Sequence, residues 1–370
     1  MGQATIHLFL GDALDHYPQW SAPIVIVSDG AYGVSGFEGD PPTYHGLPDW
    51  YRPHIAAWSS ASTPQTTLWF WNTEIGWATV HPLLVEAGWE YRNCHIWNKG
   101  IGHIAGNANS QTLRKFPIVT EVCVQYVREA KFQTREGSMT MKEWLRYEWE
   151  RSGLPLYKTN EACGVKNAAT RKYFTQDHLW YYPPVEAFER LAEYANKHGR
   201  KSGRPYFSQN GVCPLSGHEW SRMRAKFTCE HAVTNVWDEP PMHGEERLKD
   251  HQNRCVHLNQ KPIRLLSRII KASSDPGDVV WEPFGGLCST AVACARLGRQ
   301  IYSAEISEDY YRLALRRLEN ERGLEFAGTA TNEQFAGTAS PTTPANGVET
   351  PRPLRSGKRN SLRTASLFPA

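Results

Sequence analysis

Nowhere in these 370 residues do 18 apolar residues run together, so no segment reads as a membrane span. The opening stretch, MGQATIHLFLGDALDHY, has no basic region followed by an apolar one, and Ile6 stands where a myristoylation signal needs Ser or Thr. The expectation is therefore a cytoplasmic chain, neither secreted nor membrane-bound. Eight cysteines are present, but no two are spaced as CxxC, which argues against a redox pair or a zinc ribbon. They read as reduced, mostly buried thiols. Cys213, His218, Cys229 and His231 are too irregularly spaced to favour zinc over ordinary packing, and no metal is expected. Excess charge is also scarce, at +3 overall. What surplus exists is local: residues 131–205 carry 14 Lys and Arg against 9 Asp and Glu, and residues 351–370 carry five basic residues and no acidic one. Contacts with a polyanion should come from these two places.

Apolar material is plentiful, with 14 Trp, 16 Tyr and 13 Phe, and the length suits two modules. IVIVSD (24–29) is a continuous β-branched run ending in turn residues, as a parallel strand buried on both faces should be. TLWFW (67–71), EYRNCHIW (90–97) and VTEVCVQYV (119–127) read as further strands. DWYRPHIAAW (49–58) and GWATVHPLLVEAG (76–88) read as the helices between them. The segment 98–114, with Gly100, Gly102 and Gly106, reads as a mobile surface loop. From 131 to about 250 the pattern turns helical: MKEWLRYEWERSG, NAATRKYF and PPVEAFERLAEYANKHG. Two short helices here, the second carrying Arg171 and Lys172, suit either a helix-turn-helix reader or a helical subdomain with a solvated basic face. Strand–helix alternation then returns, with a helix at 262–273, a strand at 279–284, a helix at 290–298, a strand at 301–306 and a helix at 310–323. From Phe326 onward the composition predicts a disordered basic tail. The fold class is α/β, mostly parallel, with helices on both faces. One discontinuous domain (1–130 and 251–325) interrupted by a helical insert (131–250) explains this order most simply.

Residues 278–305 carry the strongest chemical signal. A strand, a tight glycine-containing turn, a helix and a strand ending in Glu305 form the grammar of a nucleoside-cofactor site, in which small residues admit the ligand and an acidic one takes ribose hydroxyls.

The stretch HLNQKPIRLLSRIIKASSDPGDVVWEPFGGLCSTAVACARLGRQIYSAEIS resembles the C-terminal block of the β-group of DNA amino-methyltransferases, where a segment like HPTQKP leads into a DPFxGSGT loop. Asn259, Gln260, Lys261 and Pro262 match the first signature; Glu282, Pro283, Phe284, Gly285 and Gly286 fall on the second. The resemblance implies that Lys261 and the 282–286 turn line the methionine end of S-adenosylmethionine and that Glu305 contacts its ribose. LFLGDALDHY resembles the GDCLExL opening of the same group, which places Asp12 at the adenine amino group. WNKGIG (97–102) and the strand with Glu121 fit the same pattern.

The catalytic DPPY of the family aligns best with Asp29, Gly30, Ala31 and Tyr32. By this resemblance Asp29 and the next backbone carbonyl accept the N–H bonds of the target amine, and Tyr32 stacks on a flipped base. Both prolines are missing, Glu282 replaces Asp, and Cys288 stands where the family has Gly. A literal Asp40-Pro41-Pro42 ranks second, because no strand precedes it. Lys99, Arg114 and Lys115 are candidate phosphate binders, as are Arg171 and Lys172 in the insert.

The resemblance covers about 200 residues in the order catalytic loop, recognition insert, cofactor loop. It implies a Rossmann-like methyltransferase fold and methyl transfer from S-adenosylmethionine to an amino group of double-stranded DNA, adenine N6 being favoured by Asp29. Cytosine N4 or RNA as acceptor, and a non-catalytic DNA-binding protein on a decayed fold, are the alternatives. The sequence leaves open whether the protein is a homodimer and whether a cognate restriction enzyme accompanies it.

Overall fold

The computed structural model describes residues 4–35, 39–104, 109, 111–242, 247, 260–321 and 325–326. In chain order they form β1 (Thr5–Leu10), α1 (Ala13–His16), β2 (Val25–Ser28), α2 (Leu47–Ala61), β3 (Thr67–Asn72), α3 (Glu74–Glu86), β4 (Glu90–Asn98) and β5 (Thr120–Val127). Then come the hairpin β6 (Phe132–Thr134) and β7 (Gly137–Met139), and α4 (Met141–Arg151), α5 (Lys158–Ala162), α6 (Ala168–Tyr173), α7 (Val185–His198) and α8 (Gly217–Ser221). The chain closes with β8 (Val236–Asp238), α9 (Ile263–Ser273), β9 (Val279–Glu282), α10 (Ser289–Leu297), β10 (Gln300–Glu305), α11 (Glu308–Glu319) and β11 (Glu325–Phe326).

Nine strands make one sheet in the order β11-β1-β10-β9-β2-β3-β5-β4-β8. All neighbours are parallel except at β5, which runs antiparallel to both β3 and β4. Alternation along the central strands divides the apolar residues between two cores, as the two-residue period of a strand requires. Val25, Val27, Trp69 and Trp71 face a core completed by Leu265, Ile269, Ala291 and Leu318 of α9–α11. Ile26, Leu68, Phe70 and Trp281 face the other, with Tyr51, Trp58, Val80 and Leu84 of α2 and α3. The α/β layering with helices on both faces is as expected.

A third core lies between Ala130 and Trp220, built on Trp144, Trp149, Phe188 and Trp220, with Phe188 and Trp220 stacked at 4.2 Å. Two details differ from the sequence reading. The insert is not wholly helical, since it opens with the β6–β7 hairpin. Residues 236–238, assigned to the insert, instead pair in parallel with β4 on the large sheet, and Trp237 is buried beside Trp71 and His95. Three residues are too few to display a period, so tertiary packing decides this strand. Phe326, expected to begin the tail, ends β11 beside β1; residues 327–370 and Asn259 lie outside the described residues.

No helix among the described residues is long and apolar enough to cross a membrane. None of their His, Cys, Asp and Glu gather in threes to hold a metal, and Cys213 and Cys229 are exposed.

The sheet order places the site. After β2 the chain crosses to β3 on one side, while after β9 it crosses to β10 on the other. The loops at the C-terminal ends of β2 and β9 therefore diverge and leave a crevice between them, the location where open α/β sheets bind ligands.

Candidate active site

Asp29 follows directly on the buried β2 and stands at this crevice. Its Oδ1 accepts from Lys261 Nζ at 2.8 Å and from the Tyr32 hydroxyl at 3.0 Å. The loop behind it is held without prolines. The buried Ala31 carbonyl accepts from the Tyr51 hydroxyl (3.0 Å) and from Asn72 Nδ2 (2.9 Å). The Tyr32 backbone N–H donates to Asp40 Oδ2 at 2.9 Å, so the literal Asp-Pro-Pro acts as a brace for the Asp29 loop. Gly30 is packed so closely that a Cβ would come within 2.7 Å of the Phe284 ring and 2.9 Å of the Tyr51 hydroxyl. Phe284 packs against Trp50, Tyr51, His54 and Trp58, which restrict its retreat. Gly30→Ala is therefore expected to displace Tyr51 from the Ala31 carbonyl and lower turnover by about a hundredfold. Steady-state kinetics on the purified variant check this; a change below threefold would show that the loop tolerates the shift.

Lys261 is 3% exposed and satisfied in full. Its three N–H groups match three acceptors: Asp29, Glu121 Oε2 at 3.2 Å and the Tyr32 oxygen at 3.0 Å. Burial alone would lower its proton affinity, but the Asp29 and Glu121 carboxylates reverse this and raise it. Glu121 is the mirror case: burial pushes its carboxyl up, and Lys261 and Lys99 pull it below the usual range. Tyr32 shares its hydroxyl proton between Asp29 and Glu121 (3.1 Å), and burial with these two anions drives its pKa well above the ordinary value. Tyr32, expected only as a stacking face, thus also ties two carboxylates together.

Lys99 differs from its expected role. Its ammonium pairs with Glu121 and is 12% exposed, so it belongs to the charged cluster rather than to a phosphate-facing surface. Arg114, Lys115, Arg171 and Lys172 are exposed, as surface cations for a polyanion would be.

Across the crevice, the turn 283–288 is built on β9. A pocket between the two loops is lined by Val27, Asp29, Lys261, Phe284, Gly286 and Thr290, among others. Gly285 is required by close approach, since a Cβ there would meet Ser303 Oγ at 2.6 Å. Cys288 keeps the left-handed conformation (φ +54°) that favours glycine, so the loop path survives the substitution at a cost of about 1–3 kcal/mol. Its buried Sγ lies 3.7 Å from Ser303 Oγ.

Glu305 ties the turn to β10: Oε2 accepts from Gly286 N at 2.6 Å and Oε1 from Ser307 N at 2.8 Å. Asp12 stands beside it, because Gly11 N donates to the Glu305 carbonyl; its Oδ1 caps α1 through Leu14 N. Pro283 and Phe284 carry the turn away from β9. Beneath it, Arg317 donates to the Leu287 carbonyl and Ser289 Oγ. With its amide oxygen turned toward Arg317, Gln260 accepts from that guanidinium at 3.0 Å. Arg317 and Gln260 as supports of the turn escaped the sequence reading.

Glu282 does not open into the pocket as a free charge. Oε1 accepts from Thr290 N (3.0 Å) in the first turn of α10, and Oε2 from Ser303 Oγ (3.0 Å). Burial raises its carboxyl to about 7, with the hydrogen bonds from Thr290 and Ser303 opposing. A folded-state pKa above the ordinary 4.5 means that the native protein binds this proton more tightly than the unfolded chain. The group's contribution is thus full below pH 4.5 and is lost as pH rises through 7, by up to about 3 kcal/mol. Denaturant unfolding of wild type and Glu282→Gln between pH 5 and 8 should show the wild-type slope flattened in the variant; parallel curves would contradict it.

Comparison with known proteins fits this geometry. The family model described as DNA methylase, N6_N4_Mtase, matches residues 24–316. The DNA adenine methyltransferase YhdJ of Escherichia coli (strain K12) is 41% identical over 85 residues, 23% of this chain and 27% of that protein. The Type II methyltransferase M.HinfI of Haemophilus influenzae is 38% identical over 89 residues, 24% of this chain and 25% of that protein. The aligned stretch thus spans about a quarter of the length of these relatives. Among solved structures, the M1.HpyAVI–SAM complex aligns over 85% of this chain and 98% of its own, at 15% identity and a TM-score of 0.46. Since the family match runs from β2 to α11 and takes in both the Asp29 loop and the glycine turn, the chain belongs to the N6_N4_Mtase family of DNA methylases.

Proposed function

We propose that the protein transfers a methyl group from S-adenosylmethionine to the exocyclic amino group of a base in double-stranded DNA, adenine N6 being the favoured target. The observation that carries this reading is the state of Asp29. One carboxylate oxygen is held by Lys261 and Tyr32, and the side chain is still 28% exposed beside the pocket, which leaves Oδ2 for an incoming amine.

The residues present suit the cofactor. The Gly285–Gly286 turn leaves the space a side chain would fill. Glu305 and Asp12, at the ends of adjacent strands, retain lone pairs for ribose hydroxyls and an adenine amino group. Lys261 and Phe284 frame the methionine end, with Pro283 and the hydrogen-bonded Glu282 fixing the turn behind it. S-adenosylmethionine supplies an electrophilic methyl group when bound. Asp29 Oδ2 and the Gly30 carbonyl accept the two amine N–H bonds and so direct the nitrogen lone pair along the line of transfer. Transfer of the methyl would release one proton from the nitrogen, and Asp29 Oδ2, as acceptor of one of its N–H bonds, would be placed to take it. The braces on Ala31 and Tyr32 replace the rigidity of the missing prolines, which speaks against a decayed catalytic loop.

The insert expected at 131–250, less the β8 strand, serves in this reading as the target-recognition part, using the exposed Arg171 and Lys172 as phosphate contacts. A homodimer and a cognate restriction enzyme belong to the proposal as companions of a restriction-modification role; the Haemophilus relative is named a Type II methyltransferase.

The test is transfer of labelled methyl groups to mixed-sequence duplex DNA and, in parallel, to RNA, with mass analysis of the nucleosides. N6-methyladenine is expected. N4-methylcytosine would move the target base, a labelled RNA would move the acceptor, and cofactor and DNA binding without product would sink the enzymatic reading.

A further inference from the structure

We propose that Phe116 enters the base stack of duplex DNA and fills the gap left when the target base turns into the site. The inference rests on the methyltransferase reading above. Phe116 is 94% exposed, more than any other large apolar residue among those described. It lies between the exposed cations Arg114 and Lys115 and Pro117. Water on both faces of a phenyl ring is unfavourable, and at 94% exposure no described residue covers it. The partner that suits an apolar ring flanked by cations has apolar faces at its centre and anionic groups at its edges. Stacked bases between phosphate backbones have that arrangement.

Position favours this over any other partner. The loop that bears Phe116 leaves β4 at Asn98 and returns at β5, the strand that carries Glu121. Its neck is closed at the site itself: Lys99 N donates to the Val119 carbonyl at 2.9 Å, and the Lys99 ammonium pairs with Glu121. Phe116 stands five positions before Glu121, so its Cα lies at most on the order of 17 Å from that of Glu121, with the ring reaching somewhat farther. In this proposal the duplex step that yields its base to Asp29 passes within that reach. Ile101, 82% exposed on the outgoing limb of the same loop, offers a second apolar contact but has only Lys99 near it in sequence, and that cation is already paired.

The test begins by mapping the methylated sequence in DNA treated with the wild-type protein. Two duplexes carrying that sequence are then compared, one fully paired and one with an abasic site opposite the target base. Phe116→Ala is expected to slow single-turnover transfer to the paired duplex by about tenfold to a hundredfold. It should slow transfer to the abasic duplex, where less unpairing is needed, by less than threefold. With 2-aminopurine at the target position, the fluorescence rise on wild-type binding should vanish in Phe116→Ala and persist in Phe116→Trp. Equal losses on both duplexes, or no loss on either, would overturn the wedge while leaving the enzymatic reading intact. A wild-type protein that methylates no DNA removes that reading and the wedge with it.

Discussion

Asp29→Asn should lower the rate of methyl transfer by about a thousandfold while changing the affinity for S-adenosylmethionine by less than about threefold. The carboxamide has the same shape but one acceptor where the carboxylate has two. If its oxygen stays with Lys261 and Tyr32, which approach Oδ1 at 2.8 and 3.0 Å, its NH2 group meets the N–H of the incoming amine. If it flips to present oxygen to the amine, the NH2 group meets an ammonium and a hydroxyl. In either orientation a donor faces a donor, and the amine lone pair loses its guide. Under the proposed function the cofactor is held mainly by the 283–288 turn and Glu305, so its binding should largely survive the substitution. Single-turnover rates with titration of cofactor binding separate the two effects. A loss of less than tenfold would mean that Asp29 does not hold the amine.

The strands and helices that frame this site were readable because each carries a period. IVIVSD and TLWFW are continuous apolar runs because both faces of β2 and β3 are covered. The direction of β5 was not readable: apolar alternation marks a strand but has no sign, and the antiparallel pairing with β3 and β4 is set by the return of the loop after Asn98. The glycine turn was singled out by local spacing, and Asp29 by the resemblance of the segment after β2 to the family's catalytic loop. What escaped depends on contacts distant in sequence. Gly30 is glycine because of Phe284, more than 250 positions away. Lys99 looked like a surface cation because its partner Glu121 lies 22 positions away, across the β4–β5 loop. Asp40 looked like a rival catalytic residue, whereas it is a brace whose function is visible only once the chain has turned back on Tyr32. Cys288 looked like a departure of the loop path, yet the backbone holds its left-handed conformation because Gly285, Ser303 and the start of α10 fix both sides.

The same long-range cluster makes the second large effect a loss of stability. Lys261→Met should destabilise the protein by about 3–5 kcal/mol, the usual consequence of leaving a buried charge without its partner. Met matches the length of the lysine stem, so the main change is the loss of the charge, including its contact with the Trp71 ring face. Asp29 can recover water on its exposed side, but Glu121 is 11% exposed and retains only Lys99 and the Tyr32 hydroxyl. Glu121 then loses part of the cationic pull that offsets its burial, so its proton affinity rises. The sign of the pH effect follows. In wild type the lowered carboxyl stabilises the fold above the ordinary carboxylate range and loses that contribution as pH falls. In Lys261→Met this contribution shrinks or reverses, and the gap between variant and wild type should narrow between pH 8 and pH 5. Glu121→Gln in the same background removes the stranded charge and should restore at least about 1 kcal/mol, a coupling that a double-mutant cycle reads directly. Denaturant unfolding of the four proteins at both pH values decides the matter: additive losses, or a single-variant cost below 1 kcal/mol, would show that Lys261 is not the ion that holds Asp29 and Glu121 in one site.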